Sequence, residues 1–177
     1  MITKKEDNRM KKLLCSIAIA LLVSLLCVSA LAVPSSATYS TTREFLKECD
    51  EQEIRYTYDG IDQDNDEKVK VSINLTDTSI TEIFYFSEDN EDASIRVWNF
   101  IDFAPSDYNN VLEAVNSLNA QYRWVRFYID KSDNSVTCAI DVEYSVANTG
   151  EVTFRLMRHM MNICDYAYSE LSRYDIG

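Results

Sequence analysis

Glycine, proline and histidine are the scarce residues of this chain, with three, two and one copies in 177 positions. The glycines, Gly60, Gly150 and Gly177, lie far apart. No glycine-rich loop is therefore present to cradle a phosphate or a dinucleotide with its backbone amides, and nucleotide chemistry by those motifs is excluded. The same shortage of Gly and Pro, beside 46% hydrophobic and 11% aromatic residues, separates the chain from disordered and low-complexity sequences and is enough to fill one packed core. His159 is the sole histidine, so a catalytic triad or a two-histidine metal site would have to be built on it. At about 100° per residue it lies on the side of its helix away from the apolar stripe, beside Arg155, Asn162, Tyr166 and Arg173. Cys164, five residues on, points about 140° away, which rules out a Cys/His dyad within that helix.

Positive charge is the next shortage. Lys and Arg number 17 against 29 Asp and Glu, a net charge of −12. Five of the basic residues, Lys4, Lys5, Arg9, Lys11 and Lys12, sit at the N-terminus against only Glu6 and Asp7, so the rest of the chain is more acidic still. Such a field repels nucleic acid and anionic lipid and favours cations or basic partners. No nucleic-acid partner is expected.

What is present begins with an export signal. Arg9, Lys11 and Lys12 precede an uncharged apolar run from Leu13 to Val28, and Ala30-Leu31-Ala32 supplies the small residues of a signal-peptidase site. The expected division is a signal peptide over 1–32, a short Ser/Thr-rich tether over 33–40 and one α+β domain over 41–177. Met10 heads a conventional signal by itself. The apolar stretch from Leu13 to Val33, at roughly 20 residues, is also long enough to remain as an uncleaved anchor, the one route by which this chain would engage a membrane. Cys27 follows Leu26, where a lipobox requires a small residue, so lipidation is not expected. The chain is placed outside the cytoplasm, secreted or in the cell envelope of a bacterium. Beyond the signal, Cys49, Cys138 and Cys164 form an odd set that cannot be a closed disulfide framework and matches no zinc spacing. Each shares a periodic face with apolar residues. Buried thiols are expected, with a Cys138–Cys164 disulfide as the alternative.

Periodicity orders the domain as helix, four strands, helix, two strands, helix, with helices against an antiparallel sheet. Thr41 and Glu44 have capping-box spacing ahead of a helix over about 42–53. Strands follow over 54–58, 69–75, 81–86 and 94–101, the second showing Val69, Val71, Ile73 and Leu75 in strict alternation. Ser106 is the expected N-cap of a helix reaching about Gln121. A hairpin over 123–130 and 135–144 precedes a last helix, in which Phe154, Met157, Met161, Cys164, Tyr168 and Leu171 form an apolar stripe.

Asp59, Asp62, Asp64, Asp66 and Glu67 crowd the first hairpin loop, and Glu88, Asp89, Glu91 and Asp92 crowd the third, at the same end of an up-and-down sheet. Asp62, Asp64 and Asp66 start like a calcium loop. The sixth position is Glu67 in place of glycine and the twelfth is Ile73 in place of a bidentate Glu, so it is no EF-hand. A solvated acidic end is expected, with these three aspartates as weak candidates for a divalent cation.

The segment Asn116-Ser117-Leu118-Asn119-Ala120-Gln121-Tyr122-Arg123-Trp124-Val125-Arg126-Phe127-Tyr128 resembles the helix-to-strand signature of the bacterial YbjN family. Gly150-Glu151 opening a last helix, with Asp165 and Tyr168 late in it, is similar to that family too. The resemblance covers about residues 40–174. It implies a fold like that of type III secretion chaperones, small α+β proteins that bind other polypeptides, and it brings no catalytic residues. Members are labelled sensory transduction regulators and are thought of as cytosolic, whereas this chain carries an export signal.

The expected function is that of an exported, non-catalytic module binding a protein or peptide, without cofactor, chaperone-like or regulatory. An acidic cation-binding or envelope-stress accessory protein is the first alternative and a hydrolase the second. On the fifth strand Trp124, Arg126 and Tyr128 oppose the core-facing Val125, Phe127 and Ile129, and Arg96, Trp98 and Phe100 alternate similarly on the fourth. Trp124, Arg126, Tyr128, Arg96 and Trp98 are thus the candidate partner-binding residues, since aromatics interleaved with arginine are what interface hot spots favour. Either the second helix covers them, or they form a homodimer or peptide-binding face.

Overall fold

The computed structural model describes residues 37–144 and 148–177; the expected signal peptide and the first residues of the expected tether lie outside them. Among the described residues three helices, α1 (Ser40–Glu51), α2 (Tyr108–Gln121) and α3 (Thr149–Leu171), accompany six strands. These are β1 (Thr57–Ile61), β2 (Glu67–Asn74), β3 (Ser79–Phe86), β4 (Asp92–Asp102), β5 (Arg126–Asp130) and β6 (Ser135–Glu143). All neighbouring strands are antiparallel, in the order β1-β2-β3-β4-β6-β5. The class is α+β with the element order expected from periodicity.

The alternation of each strand puts one row under the helices. Val69 and Val71 of β2, Phe84 and Phe86 of β3, Ile95 and Val97 of β4, Phe127 of β5, and Val136, Cys138 and Ile140 of β6 are buried. Above them lie Phe45, Leu46 and Cys49 of α1 and Met157, Met160, Cys164 and Leu171 of α3. Phe45 carries the contact between layers, its ring centroid 4.4 Å from that of Phe84 and 5.6 Å from that of Phe86. Cys49, Cys138 and Cys164 are free thiols in this core, and burial pushes the Cys49 thiol up to about 12.

Three local expectations change. The buried residues of α3 are Gly150, Thr153, Leu156, Met157, Met160, Cys164, Ala167 and Leu171, and Phe154, Met161 and Tyr168 are only half-covered. The rotation follows from close packing at Gly150, where a Cβ would meet the backbone oxygen of Glu44 at 2.5 Å; small residues turn toward the contact. Thr41 and Glu44 form no capping box. The α1 N-terminus is instead capped from the β3–β4 turn, where Asn90 Oδ1 accepts from Thr41 N at 3.2 Å and from Ser40 Oγ at 2.9 Å. Glu44 caps α3, its Oε2 accepting from Thr149 Oγ1 at 2.5 Å and Gly150 N at 3.4 Å. Ser106 lies inside a single 3₁₀ turn, Pro105–Asp107, and the residue preceding α2 is Asp107.

The described end of the expected tether is held down. Ala37 and Tyr39 are buried, and the fully buried Glu67 carboxylate accepts from Thr38 N at 2.5 Å, Tyr39 N at 2.9 Å and Tyr58 Oη at 2.5 Å. Burial pushes the Glu67 carboxyl up, but hydrogen bonds led by Tyr58 and Thr38 outweigh it and hold the group below its ordinary range.

Candidate protein-binding face

A sheet covered by helices on one side must either cover its other side or leave it to solvent. The path of α2 decides this. Asn119 Nδ2 donates to Phe127 O at 2.7 Å and its Oδ1 accepts from Phe127 N at 2.8 Å, so the side chain takes the place of a neighbouring strand along β5. Val111, Val115 and Leu118 bury the inner side of α2. The helix thus closes the β5 edge and leaves the outer sheet face open, which decides against the alternative in which α2 covers the aromatics.

On that face β6 presents two small residues, Thr137 and Ala139, shielded by taller neighbours on both sides. Arg96 of β4 and Arg126 of β5 both pair in register with Ala139, and Tyr128 pairs with Thr137. The result is a trough two strand spacings wide, roughly 10 Å. Its walls are Trp98, 46% exposed, Tyr128, 38% exposed, and Trp124, 55% exposed at the entry to β5.

The individual side chains differ in availability. Arg96 is spoken for: its guanidinium donates to Ile95 O at 3.0 Å and Ile140 O at 2.9 Å and pairs with Asp141 at 2.5 Å. It is a fixed part of the trough wall. Trp98 Nε1 donates to Tyr85 Oη at 3.2 Å, and Lys68 Nζ sits 5.3 Å from the Tyr85 ring centroid. The Arg123 guanidinium lies 5.6 Å from the Trp124 ring centroid, a cation–π contact. Arg126 is exposed and has no ion pair among the described residues. Phe100 departs from the expected row. A bulge in the β4–β6 pairing between Val97 and Ile101, with Asn99 at φ 48°, turns Phe100 inward against Phe127 and Tyr168.

The weak cation candidates do not open toward a common centre. Asp62 Oδ1 accepts from Asp64 N at 2.9 Å and Asp66 N at 3.1 Å, closing its own turn. Asp66 is pushed up by burial first and then by Asp62, Asp92 and Asp64, which puts Asp92 of the other acidic turn within its electrostatic reach. Glu67 is withdrawn into the core. Among the described residues no three His, Cys, Asp or Glu side chains gather in a metal-binding arrangement. His159 faces solvent, as its helical position requires.

Two buried carboxylates escaped the sequence reading as individual residues. Glu67 was counted with the acidic loop, yet it is in phase with Val69 and Val71; Glu82 is in phase with Ile80, Phe84 and Phe86. Alternation alone marks both as inward. Glu82 is fully buried with neither oxygen hydrogen-bonded among the described residues, and burial, then Cys164, pushes its carboxyl well above the usual range.

The family-like residues prove to be joints of this architecture. Asn119 secures the β5 edge, and Gly150 admits Glu44. Asp165 accepts from Thr76 N at 2.7 Å and Thr76 Oγ1 at 2.9 Å, tying α3 to the β2–β3 turn, and Tyr168 Oη donates to Asp175 at 3.2 Å. A search of curated proteins finds no match to the chain. Among solved structures, "Crystal structure of YbjN, a putative transcription regulator from E. coli" is similar at 11% identity, covering 70% of this chain and 88% of that one, with a TM-score of 0.43. The family model described as "YbjN: Putative bacterial sensory transduction regulator" matches residues 47–170, from within α1 almost to the end of α3, and the chain belongs to the YbjN family.

Proposed function

We propose that this protein acts without catalysis, outside the cytoplasm, by binding another polypeptide across the trough between β4 and β5. The exposure of Trp98, Trp124 and Tyr128 on one continuous sheet face carries the reading, because large aromatics are commonly spent in cores or at interfaces. The family description as a regulator agrees with a binding role. Export rests on the Arg9 to Ala32 signal pattern.

The test is photo-crosslinking in the native bacterial envelope, with a photoreactive residue at position 128 and a control at the exposed Leu112 of α2. A discrete adduct from position 128 alone, lost on Trp124→Ala with the melting temperature unchanged, supports the proposal. Loss of a hot-spot aromatic costs about 2 kcal/mol or more of binding, at least a 20-fold weaker complex. Equal adducts at both positions, or none, would refute it, as would a Trp124→Ala chain that no longer folds.

A further inference from the structure

A second surface lies at the opposite edge of the sheet and on its helical side. The β1–β2 ladder ends at Thr57–Lys70, whereas β2 continues to Asn74 paired with β3 throughout. The cause is the route out of α1: Gln52–Glu53 turn, with Glu53 at φ 57°, and the chain descends from the helix layer through 54–56 before it can join the sheet. Val71 to Asn74 are thus left with strand neighbours on one side only, an open edge of four residues, roughly 13 Å.

Between this edge and α3 runs a groove of about 540 Å³. Ile54, Ile73, Phe154, Met157 and Met161 supply its apolar lining. Phe154 and Met161 are the residues that the rotation of α3 leaves outside the core stripe, so their apolar surface is only half used within the fold. Adaptable Met side chains suit a pocket that takes varied apolar groups.

The polar rim sets the sign of the occupant. Arg55 and Arg158 line the groove with Glu53 as its one carboxylate. The adjoining hollow adds Arg155 and His159, with Glu48 and Glu151. Despite those carboxylates, Arg55, Arg155 and Arg158 make no ion pair among the described residues. The groove itself carries two guanidiniums against one carboxylate, and in a chain of net charge −12 that local excess of positive charge complements carboxylates brought by a partner.

We infer that this groove binds an extended peptide segment of another protein, which adds as a strand to the open edge of β2, seats alternate apolar side chains on Phe154, Met157 and Met161, and presents carboxylates to Arg55 and Arg158. Strand addition supplies main-chain hydrogen bonds, and the alternating pockets and charges supply the selection. The inference is independent of the trough on the other sheet face.

The probe is a fluorescein-labelled octapeptide alternating valine and aspartate, titrated against the full chain by fluorescence anisotropy. A lysine counterpart and the aspartate sequence with alternate backbone amides methylated serve as controls. The aspartate peptide should bind at least tenfold more tightly than either. Arg158→Glu, at an exposed and unengaged position, should weaken binding at least tenfold with the melting temperature unchanged, and Trp124→Ala should leave it unaltered. Equal affinity for the lysine or methylated peptide, no binding of the aspartate peptide, or an indifferent Arg158→Glu variant would overturn the inference. Self-association in sedimentation that Arg158→Glu abolishes and the peptide competes away would also overturn it, assigning the groove to a second copy.

Discussion

Glu82 offers the sharpest test of the core. Its carboxyl is buried on the inward row of β3, in register with Val71, and has no hydrogen-bond partner among the described residues. Methionine is of similar length and unbranched, so Glu82→Met removes the polar group at little steric cost. Leaving a buried polar group unsatisfied costs about 1–3 kcal/mol, and that amount should appear as added stability of the variant at low pH. A second contribution depends on pH. The folded-state pKa is raised above the ordinary 4.5, so between 4.5 and the folded value the native chain holds more protons than the unfolded chain. The parent's stability therefore falls as pH rises through that window, by about 1.4 kcal/mol per unit, and is fully retained only below it. Urea denaturation of the parent, Glu82→Met and Glu82→Gln at half-unit steps from pH 4 to 8 reads both contributions. The two variants should lose the pH-dependent part together, and only methionine should recover the constant part. A stability difference between parent and Glu82→Met that stays flat across the series would refute the reasoning, as would a methionine variant less stable throughout.

Three further outcomes follow from the joints between elements. Glu67→Gln removes the charge that Thr38, Tyr39 and Tyr58 share and should cost about 2–3 kcal/mol. Because the folded pKa of Glu67 is lowered, its contribution is present above pH 4.5 and is lost as pH falls through the folded value, so parent and variant should converge in acid; amide exchange at Thr38 and Tyr39 reports the loosened segment. Gly150→Ala gains roughly 1 kcal/mol in helix propensity yet drives a Cβ to 2.5 Å from the Glu44 oxygen, and calorimetry should show a net loss of about 1–3 kcal/mol. Asn119→Ala leaves Phe127 N and O unpaired at the β5 edge; it should cost about 2 kcal/mol and raise concentration-dependent association in sedimentation, which a dispersed, equally stable variant would contradict.

The architecture was legible because its main determinant is local. Period-two alternation in Val69–Ile73 or Val136–Val142 depends only on which face of a strand is covered, and every expected strand overlaps an observed one. What escaped is tertiary. Capping partners Asn90 for α1 and Glu44 for α3 lie 49 and more than 100 residues from the amides they serve, whereas a capping box looks three residues ahead. The α3 stripe slipped because a hydrophobic pattern weighs Phe154 and Met161 above Gly150, Thr153 and Ala167, while the helix contact rewards the small residues that permit close approach.

The candidate face was legible as a row and not as a surface. Alternation separates Trp124, Arg126 and Tyr128 from Val125, Phe127 and Ile129, but whether a helix then covers the outer row depends on where α2 is fixed. That choice rests on Asn119, a residue with no hydrophobic signal, whose amide satisfies both backbone groups of Phe127. Held at the edge, α2 cannot also lie across β5, and its apolar Val111, Val115 and Leu118 find their cover on the inner side. The bulge at Asn99 adds the complementary effect on β4: it turns Phe100 into the core and leaves Trp98 outward. One edge amide and one bulge thus determine which aromatics remain for a partner, and substitutions at either position should alter the binding face by changing what the monomer covers.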